Sequence, residues 1–400
     1  WLTNFVETMT QTVTWAGITS ATIADQFKKL LARYAAETSD APDFVNWQGH
    51  DFSMRGMSSI ESGKISGAAH LLSFTGTDTI PAIMFLEKYY GANVETELVG
   101  GSVPATEHAV MCAGGEEDEY GTYERLITEV YPSGIVSIVS DTWDYWHVLT
   151  ETLPKLKDKI LARNGKVVIR PDSGDPIKIV CGYFPYNCNI PSVDVIRKFG
   201  DGSTTFSMSL HEKSEEGYDA LKCSDGVYLD FYGEILTEAE VKGSVQILFD
   251  IFGGSKNSKG YFDLNSHIGL IYGDGITLTR CEKICEQLKR KDFASTNVVF
   301  GIGSYTYQHN TRDEFGIACK ATWVQINGVA KEIFKAPKTG SSKKSAKGLL
   351  QVHRNTNGKL VLKECCTPEE EKGGELVTVF LDGKLYNENI LSNIRKRLST

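Results

Sequence analysis

Arg170 and Asp172 stand two residues apart in Arg170-Pro-Asp172-Ser-Gly174-Asp-Pro176, directly after the apolar run Val167–Ile169. Side chains alternate along a strand, so residues at this spacing share a face. A carboxylate placed there can hold a sugar diol, and a guanidinium can grip a carbonyl or a phosphate. The same two groups could equally close an internal ion pair beside a Pro-Gly turn. Two glycine motifs, Gly273-Asp274-Gly275 and Gly301-Ile-Gly303-Ser304, follow later apolar runs. Glycines in such places let backbone N–H groups approach a phosphate. His108 is one of eight histidines. An imidazole there can take up a phosphoryl group or serve as a structural hydrogen-bonding group.

The elements that must position these residues are short apolar runs, each closed by Gly, Ser, Asp or Arg. They are Ala68–Phe74, Ile135–Val139, Val167–Ile169, Ile268–Tyr272 and Val298–Phe300, with Glu97–Val99 expected as a further strand before His108. Runs of this length bounded by turn residues read as buried parallel strands. The polar residues that close them fall at 78, 108, 141, 172, 274 and 303, in steps of 30, 33, 31, 102 and 29. A step near 30 is the length of a βα unit. The reading is an α/β fold, a (β/α) barrel with its chemistry at the strand C-terminal ends, where late-strand turns commonly bind phosphate.

The 102-residue step requires an insertion, placed at about 182–243. An amphipathic helix is expected over Ser20–Thr38, with Phe27, Leu30, Leu31 and Tyr34 on one face. Near the end, Leu349–Arg354, the turn Asn355–Gly358 and Lys359–Lys363 read as a hairpin. Val377–Leu381 with Asp382-Gly383 supplies another strand and turn, and a helix closes the chain. The domain expectation is a helical lead-in over 1–45, a catalytic barrel over 46–319 and a β-rich part over 320–400. Trp1-Leu-Thr-Asn-Phe-Val-Glu reads as the interior of a helix, and a preceding segment is expected.

The 400 residues are 41% hydrophobic and 23% charged, with Lys+Arg 42 against Asp+Glu 51 and a net charge of −9. Such a chain can bury a large core without disulfide or metal. Its acidity argues against broad binding to nucleic acid or an anionic membrane, so an anionic substrate needs a local basic pocket. No apolar run approaches a transmembrane length. The nine cysteines include no C-x-x-C pair. Cys281 and Cys285, with Ile284 and Leu288, follow the spacing of one buried helix face and read as core. Free thiols without a secretory leader suit a reducing cytoplasm.

Seven ordered motifs resemble the nicotinamide phosphoribosyltransferases. They are His50-Asp-Phe52-Ser-Met-Arg55-Gly56, Gly76-Thr-Asp78-Thr79, Ser102-Val-Pro104-Ala-Thr-Glu107-His108, Ser140-Asp141, Arg170-Pro-Asp172-Ser-Gly174, Gly273-Asp-Gly275 and Thr311-Arg312-Asp313. The resemblance implies a type II phosphoribosyltransferase barrel with an adjoining β-rich domain, in a homodimer with active sites at the subunit interface. It implies transfer of a 5-phosphoribosyl group from phosphoribosyl pyrophosphate to nicotinamide, yielding nicotinamide mononucleotide and pyrophosphate in NAD biosynthesis. It further implies ATP as co-substrate and Mg²⁺ as cofactor, held mainly by substrate phosphates with Asp172 as a candidate ligand.

By the same resemblance His108, Asp172 and Arg170 are catalytic, with His108 accepting phosphate from ATP. Phe52 stacks on nicotinamide, opposite an N-terminal tyrosine of the other subunit in the family, and Asp78 accepts from the carboxamide. Ser137, Asp141, Gly273 and Asp274 bind substrate, Arg55 and Arg312 bind phosphate groups, and Gly303 and Ser304 cradle the 5′-phosphate. Glu107 is a candidate to orient His108, and His50 to support Arg55. The Lys335–Lys347 stretch, with five lysines, is a solvated loop or a cover over polyphosphate. Nicotinate phosphoribosyltransferase is the nearest alternative. Asp78 argues against it, because a carboxylate repels a carboxylate but accepts from an amide. A non-catalytic nucleotide-binding protein is the alternative of another class.

Overall fold

A computed structural model of the chain describes residues 2–185, 196–198, 204–206, 210–215, 217–224, 228–336 and 344–399. The chain divides into two compact units, Ser20–His309 and a smaller one made of Trp1–Thr19 with Asn310–Thr400. The division thus falls at Asn310, not near residue 320. It also runs through the first helix, α1 (Thr3–Thr38), which extends well before the expected Ser20. From Ser20 onward α1 turns Ile23, Phe27, Leu31 and Tyr34 into the core of the larger unit, as their helical spacing requires.

The larger unit is built on six parallel strands. They are β1 (Gly49–Asp51), β2 (Gly76–Thr77), β3 (Ser133–Val139), β4 (Asn164–Arg170), β5 (Ile268–Tyr272) and β6 (Val298–Ile302). Their order is β2-β1-β6-β5-β4-β3. The two edges meet across an extended segment: Gly101 bridges to Gly76 and Ala105 bridges to Ser137. Thr77 N–H donates to Gly101 O and Thr106 N–H to Ser137 O, both at 2.9 Å. The ring is therefore closed, and the expectation of an α/β barrel holds. Val136, Ile138, Val167, Ile169, Leu270 and Phe300 are fully or almost fully buried in its wall.

Two strand expectations are corrected. Ala68–His70 ends α2 (Ile60–His70), started by a capping box at Ser59, and only Gly76–Thr77 of that region is strand. Glu97–Val99 is not a strand either; the closing stave is the 101–105 segment that follows it. The helix after β5, α3 (Leu278–Arg290), is capped by Thr277 and buries Cys281, Ile284, Cys285 and Leu288. These cysteines are core, as their spacing implied.

The insertion leaves the barrel between β4 and β5 and carries a separate four-stranded sheet. Tyr183, Ala220 and Leu236 form a small core of its own. Gly182 and Gly243 sit back to back at its base, where a Cβ on either would strike the other's backbone. Both take positive φ, 67° and 77°. Parts of 182–243 lie outside the described residues.

The smaller unit contains three hairpins: Trp323–Ile326 with Val329–Glu332, Gln351–Arg354 with Leu360–Lys363, and Phe380–Leu381 with Lys384–Leu385. Asn327-Gly328 and Asp382-Gly383 both take positive φ, the signature of type I′ turns. The last helix is Leu391–Leu398. The middle of the Lys335–Lys347 stretch lies outside the described residues.

Candidate active site

At the C-terminal mouth of the barrel a cleft of about 970 Å³ opens between the strand ends. Phe52 and Arg55 follow β1, Asp78 follows β2, Arg170 and Asp172 close β4, and Gly273-Asp274 and Gly303-Ser304 follow β5 and β6. The ends of these five strands converge here because every strand is parallel and each returns through a helix or loop.

Phe52 is the aromatic floor. The Arg170 guanidinium carbon lies 5.9 Å from its ring centroid. A Cβ on Gly273 or Gly301 would collide with the Phe52 ring, and one on Gly301 would also meet Gly273 Cα. The glycines at these two positions are thus demanded by close packing of the ring. The approach of a phosphate, expected from the motifs, is not needed to explain them. Gly303, by contrast, faces open space. Gly56 is pressed against the Ser304 side chain, which ties the Arg55 segment to this loop.

Arg170 is buried and donates from Nη2 to Thr106 O at 2.6 Å, with Glu107 at 3.7 Å. Glu107 also stands 4.0 Å from Arg55. It faces the two arginines, so it does not orient His108 as expected. His108 opens a helix, α-helical over His108–Gly114, and its partners come from other loops. Its Nδ1 is 3.2 Å from Thr142 Oγ1 and its Nε2 is 3.9 Å from Asp172 Oδ2.

Burial pushes the Asp172 carboxyl up; Arg170 pulls it back while Asp141 and Asp274 add repulsion. Asp141 Oδ2 accepts the Asp172 backbone N–H at 3.0 Å, and its Oδ1 is buried without a partner. Asp141 therefore braces the Asp172 loop. The described residues include no cluster of three or more His, Cys, Asp or Glu side chains set to hold a metal.

Asp78 is anchored from below. His50 Nε2 lies 2.8 Å from its Oδ1, and Ser102 donates to the same oxygen at 2.5 Å. His50 thus supports Asp78 and not Arg55. Burial would raise the Asp78 carboxyl, but these bonds and the Arg170 charge hold it below the usual carboxylate value. A second cavity of about 500 Å³ continues inside the barrel, and Phe52 and Asp78 line both spaces. Ser137 lines the inner one; its hydroxyl is buried without a partner.

Arg312 belongs to the smaller unit, where Asp313 accepts from Nη2 at 2.5 Å and Gln11 from Nη1 at 2.8 Å. Sequence reasoning missed Thr277, Arg280 and Tyr305, all on the cleft wall. Arg280 donates to Gly275 O at 2.5 Å and sits in the first turn of α3. A cation there opposes the helix dipole, which was the one local signal available. His70 is a support for this wall: it binds Tyr307 Oη at 2.6 Å and Gly76 O at 3.0 Å, and burial lowers its pKa to about 4.

No helix among the described residues is long and apolar enough to cross a membrane. The chain is 47% identical over 406 residues to a nicotinamide phosphoribosyltransferase of Acinetobacter baylyi, covering 100% of this chain and 70% of that protein. It is 37% identical over 363 residues to the protein of that name from Mycoplasma pneumoniae, covering 88% and 66%. The corresponding protein of Mycoplasma genitalium is 35% identical over 354 residues, covering 88% and 64%. The chain thus spans about two thirds of the length of these relatives. Residues 47–380 match the pattern of the nicotinate phosphoribosyltransferase (NAPRTase) family. With that match spanning the barrel and every strand-end motif of the cleft, the chain belongs to the nicotinate phosphoribosyltransferase family.

Proposed function

We propose that the protein is a pentosyltransferase of NAD biosynthesis that joins nicotinamide to the 5-phosphoribosyl group of phosphoribosyl pyrophosphate. The observation that carries the choice of base is Asp78, an ionised carboxylate held beside Phe52 where the two cavities meet. It accepts from a carboxamide N–H and repels a carboxylate. The relatives' names accord with this reading.

The pyridine ring lies on Phe52 with Arg170 at its edge. Its nitrogen attacks C1 of the ribose, a C–N bond forms, and the C1–O bond breaks to release pyrophosphate. Positive charge grows on the sugar, and Asp172 and Asp274 stabilise it electrostatically. Arg55 and Arg280 hold the departing phosphates, the fork of a guanidinium matching phosphate oxygens. Ser304 and the N–H groups after Gly303 hold the 5′-phosphate.

Mg²⁺ fits the acidic oxygen donors on this wall, Asp172 with Asp141 behind it, and when bound would neutralise the pyrophosphate. His108 is the acceptor of the ATP γ-phosphoryl group. The working assembly is a homodimer in the cytoplasm. Exposed Leu2, Phe5, Val6, Met9 and Val13 along α1 suit a partner surface, and Cys112, Cys181, Cys281, Cys285, Cys319, Cys365 and Cys366 are free thiols. The purified protein, given phosphoribosyl pyrophosphate, Mg²⁺ and equal nicotinamide and nicotinate, should form nicotinamide mononucleotide in excess. Preferential formation of the nicotinate product would overturn the choice of base.

A further inference from the structure

His50, Asp78 and Ser102 come from three neighbouring staves of the barrel, and their side chains meet on one atom. His50 lies in β1, in register with Gly76 of β2. Asp78 directly follows β2, and its backbone N–H donates to Asp51 O at 2.9 Å. Ser102 lies in the extended segment that closes the ring. Both donors bind Asp78 Oδ1, at 2.8 Å from His50 Nε2 and 2.5 Å from Ser102 Oγ. No hydrogen bond reaches Asp78 Oδ2 from the described residues.

The His50 ring has little freedom. Its Nδ1 fills the space where a Cβ of Gly76 would stand, 2.6 Å from that position. Its face leans on Phe52, with centroids 5.0 Å apart and planes at 59°. One imidazole therefore props the aromatic floor and anchors the acceptor beside it. His50 and Ser102 line the inner cavity, whereas Phe52 and Asp78 line both that cavity and the outer cleft. The donors act on Asp78 from the channel side, and the unbonded oxygen is what a ligand in the cleft can use.

We infer that His50 and Ser102 are positioning residues that fix the Asp78 carboxylate for an amide N–H, and that this clamp sets the discrimination between amide and carboxylate ring substrates. The inference rests on the base reading given above. Two donors on one oxygen restrain rotation of the carboxylate and favour its ionised form at the partly exposed mouth of the cleft. Without them the carboxylate turns freely, and Oδ2 is no longer held toward the cleft. A carboxylate that is not fixed meets an amide N–H less often and faces a ligand carboxylate at no set distance, so discrimination falls.

The test is steady-state kinetics of His50→Leu, His50→Gln and Ser102→Ala with each substrate varied in turn. His50→Leu should raise KM for nicotinamide about tenfold, the scale of one lost charged hydrogen bond, with KM for phosphoribosyl pyrophosphate unchanged. The nicotinamide-to-nicotinate preference should fall in parallel. Glutamine places an amide N–H near the position of Nε2, so His50→Gln should recover most of both. Ser102→Ala should shift the same two quantities less, and it serves where the leucine variant does not fold. Equal changes in both KM values, or an unchanged base preference in His50→Leu and Ser102→Ala, would overturn the clamp. A wild-type protein that makes no mononucleotide from either base overturns the reaction itself, and with it the clamp; an active wild type with unresponsive variants overturns the clamp alone.

Discussion

Nε2 of His108 stands 3.9 Å from Oδ2 of Asp172, and the two side chains come from different strand ends of one barrel. The imidazole spans from the Thr142 hydroxyl after β3 to the Asp172 carboxylate after β4. Any change of charge on His108 is therefore felt first by the carboxylate proposed to face the sugar.

Asp172 carries a stability cost, since it is desolvated and repelled by Asp141 and Asp274. Asp172→Ala should lower kcat/KM by about 10²-fold or more, from misplaced sugar and lost charge stabilisation. Thermal melting should show a Tm equal to or above the parent's. A variant with normal kcat/KM would remove Asp172 from the ribose site.

Asp78→Ser should weaken nicotinamide and relieve the repulsion of nicotinate. Competition between the two bases reads this as a single ratio. A ratio that stays fixed means that Asp78 does not read the carboxamide.

Gly301→Ala tests the packing of the floor. The added methyl would strike the Phe52 ring and Gly273 Cα, and overpacking of this kind costs about 1–3 kcal/mol. The ring must shift, so KM for the base should rise more than KM for the phosphoribosyl donor. Equal changes in both would show that Phe52 is only core.

The barrel was legible where strands are long and apolar. Val136–Val139, Val167–Ile169 and Ile268–Tyr272 carry the signal in their own residues. β1 and β2 do not: Gly49-His50-Asp51 and Gly76-Thr77 have no apolar run, and the ring's geometry alone makes them strands. Ala68–His70 misled because small apolar residues suit a buried helix as well as a strand. Motif spacing named most of the cleft. It could not say that Glu107 turns to the arginines or that His50 turns to Asp78, because those directions depend on neighbouring staves. Arg280 stayed hidden because its one local signal, a cation in the first turn of α3, says nothing about the cleft until that helix is placed against the mouth.

Glu119 offers a test by pH. It is buried at the start of a helix, its Oε1 has no partner, and burial with repulsion from Asp144 and Glu116 raises its pKa to about 7. Between its ordinary value of 4.5 and about 7 the folded protein keeps a proton that the unfolded chain releases. Stability therefore falls as pH rises through that window. Glu119→Gln should stabilise the protein at pH 8 by on the order of 2–3 kcal/mol and have little effect at pH 5. Denaturant melts at the two pH values decide it; an equal effect at both would mean Glu119 is not held protonated.

The proposed ATP coupling turns on His108. With the Nδ1 proton directed at Thr142, Nε2 carries the lone pair and attacks the γ-phosphorus of ATP. A P–N bond forms, the bridging P–O bond breaks, and ADP leaves with the electron pair. The new phosphoryl group then stands beside Asp172, adding negative charge to a wall that already holds Asp141, Asp172 and Asp274. Such a site should bind a divalent cation and its pyrophosphate complex more tightly, and the energy of ATP is spent on organising the donor. His108→Ala should therefore abolish ATP hydrolysis and ATP stimulation while a slow basal transfer remains. Mass spectrometry after exposure to ATP should find an acid-labile phosphate on His108. Full stimulation by ATP in the alanine variant would return His108 to a structural role between Thr142 and Asp172.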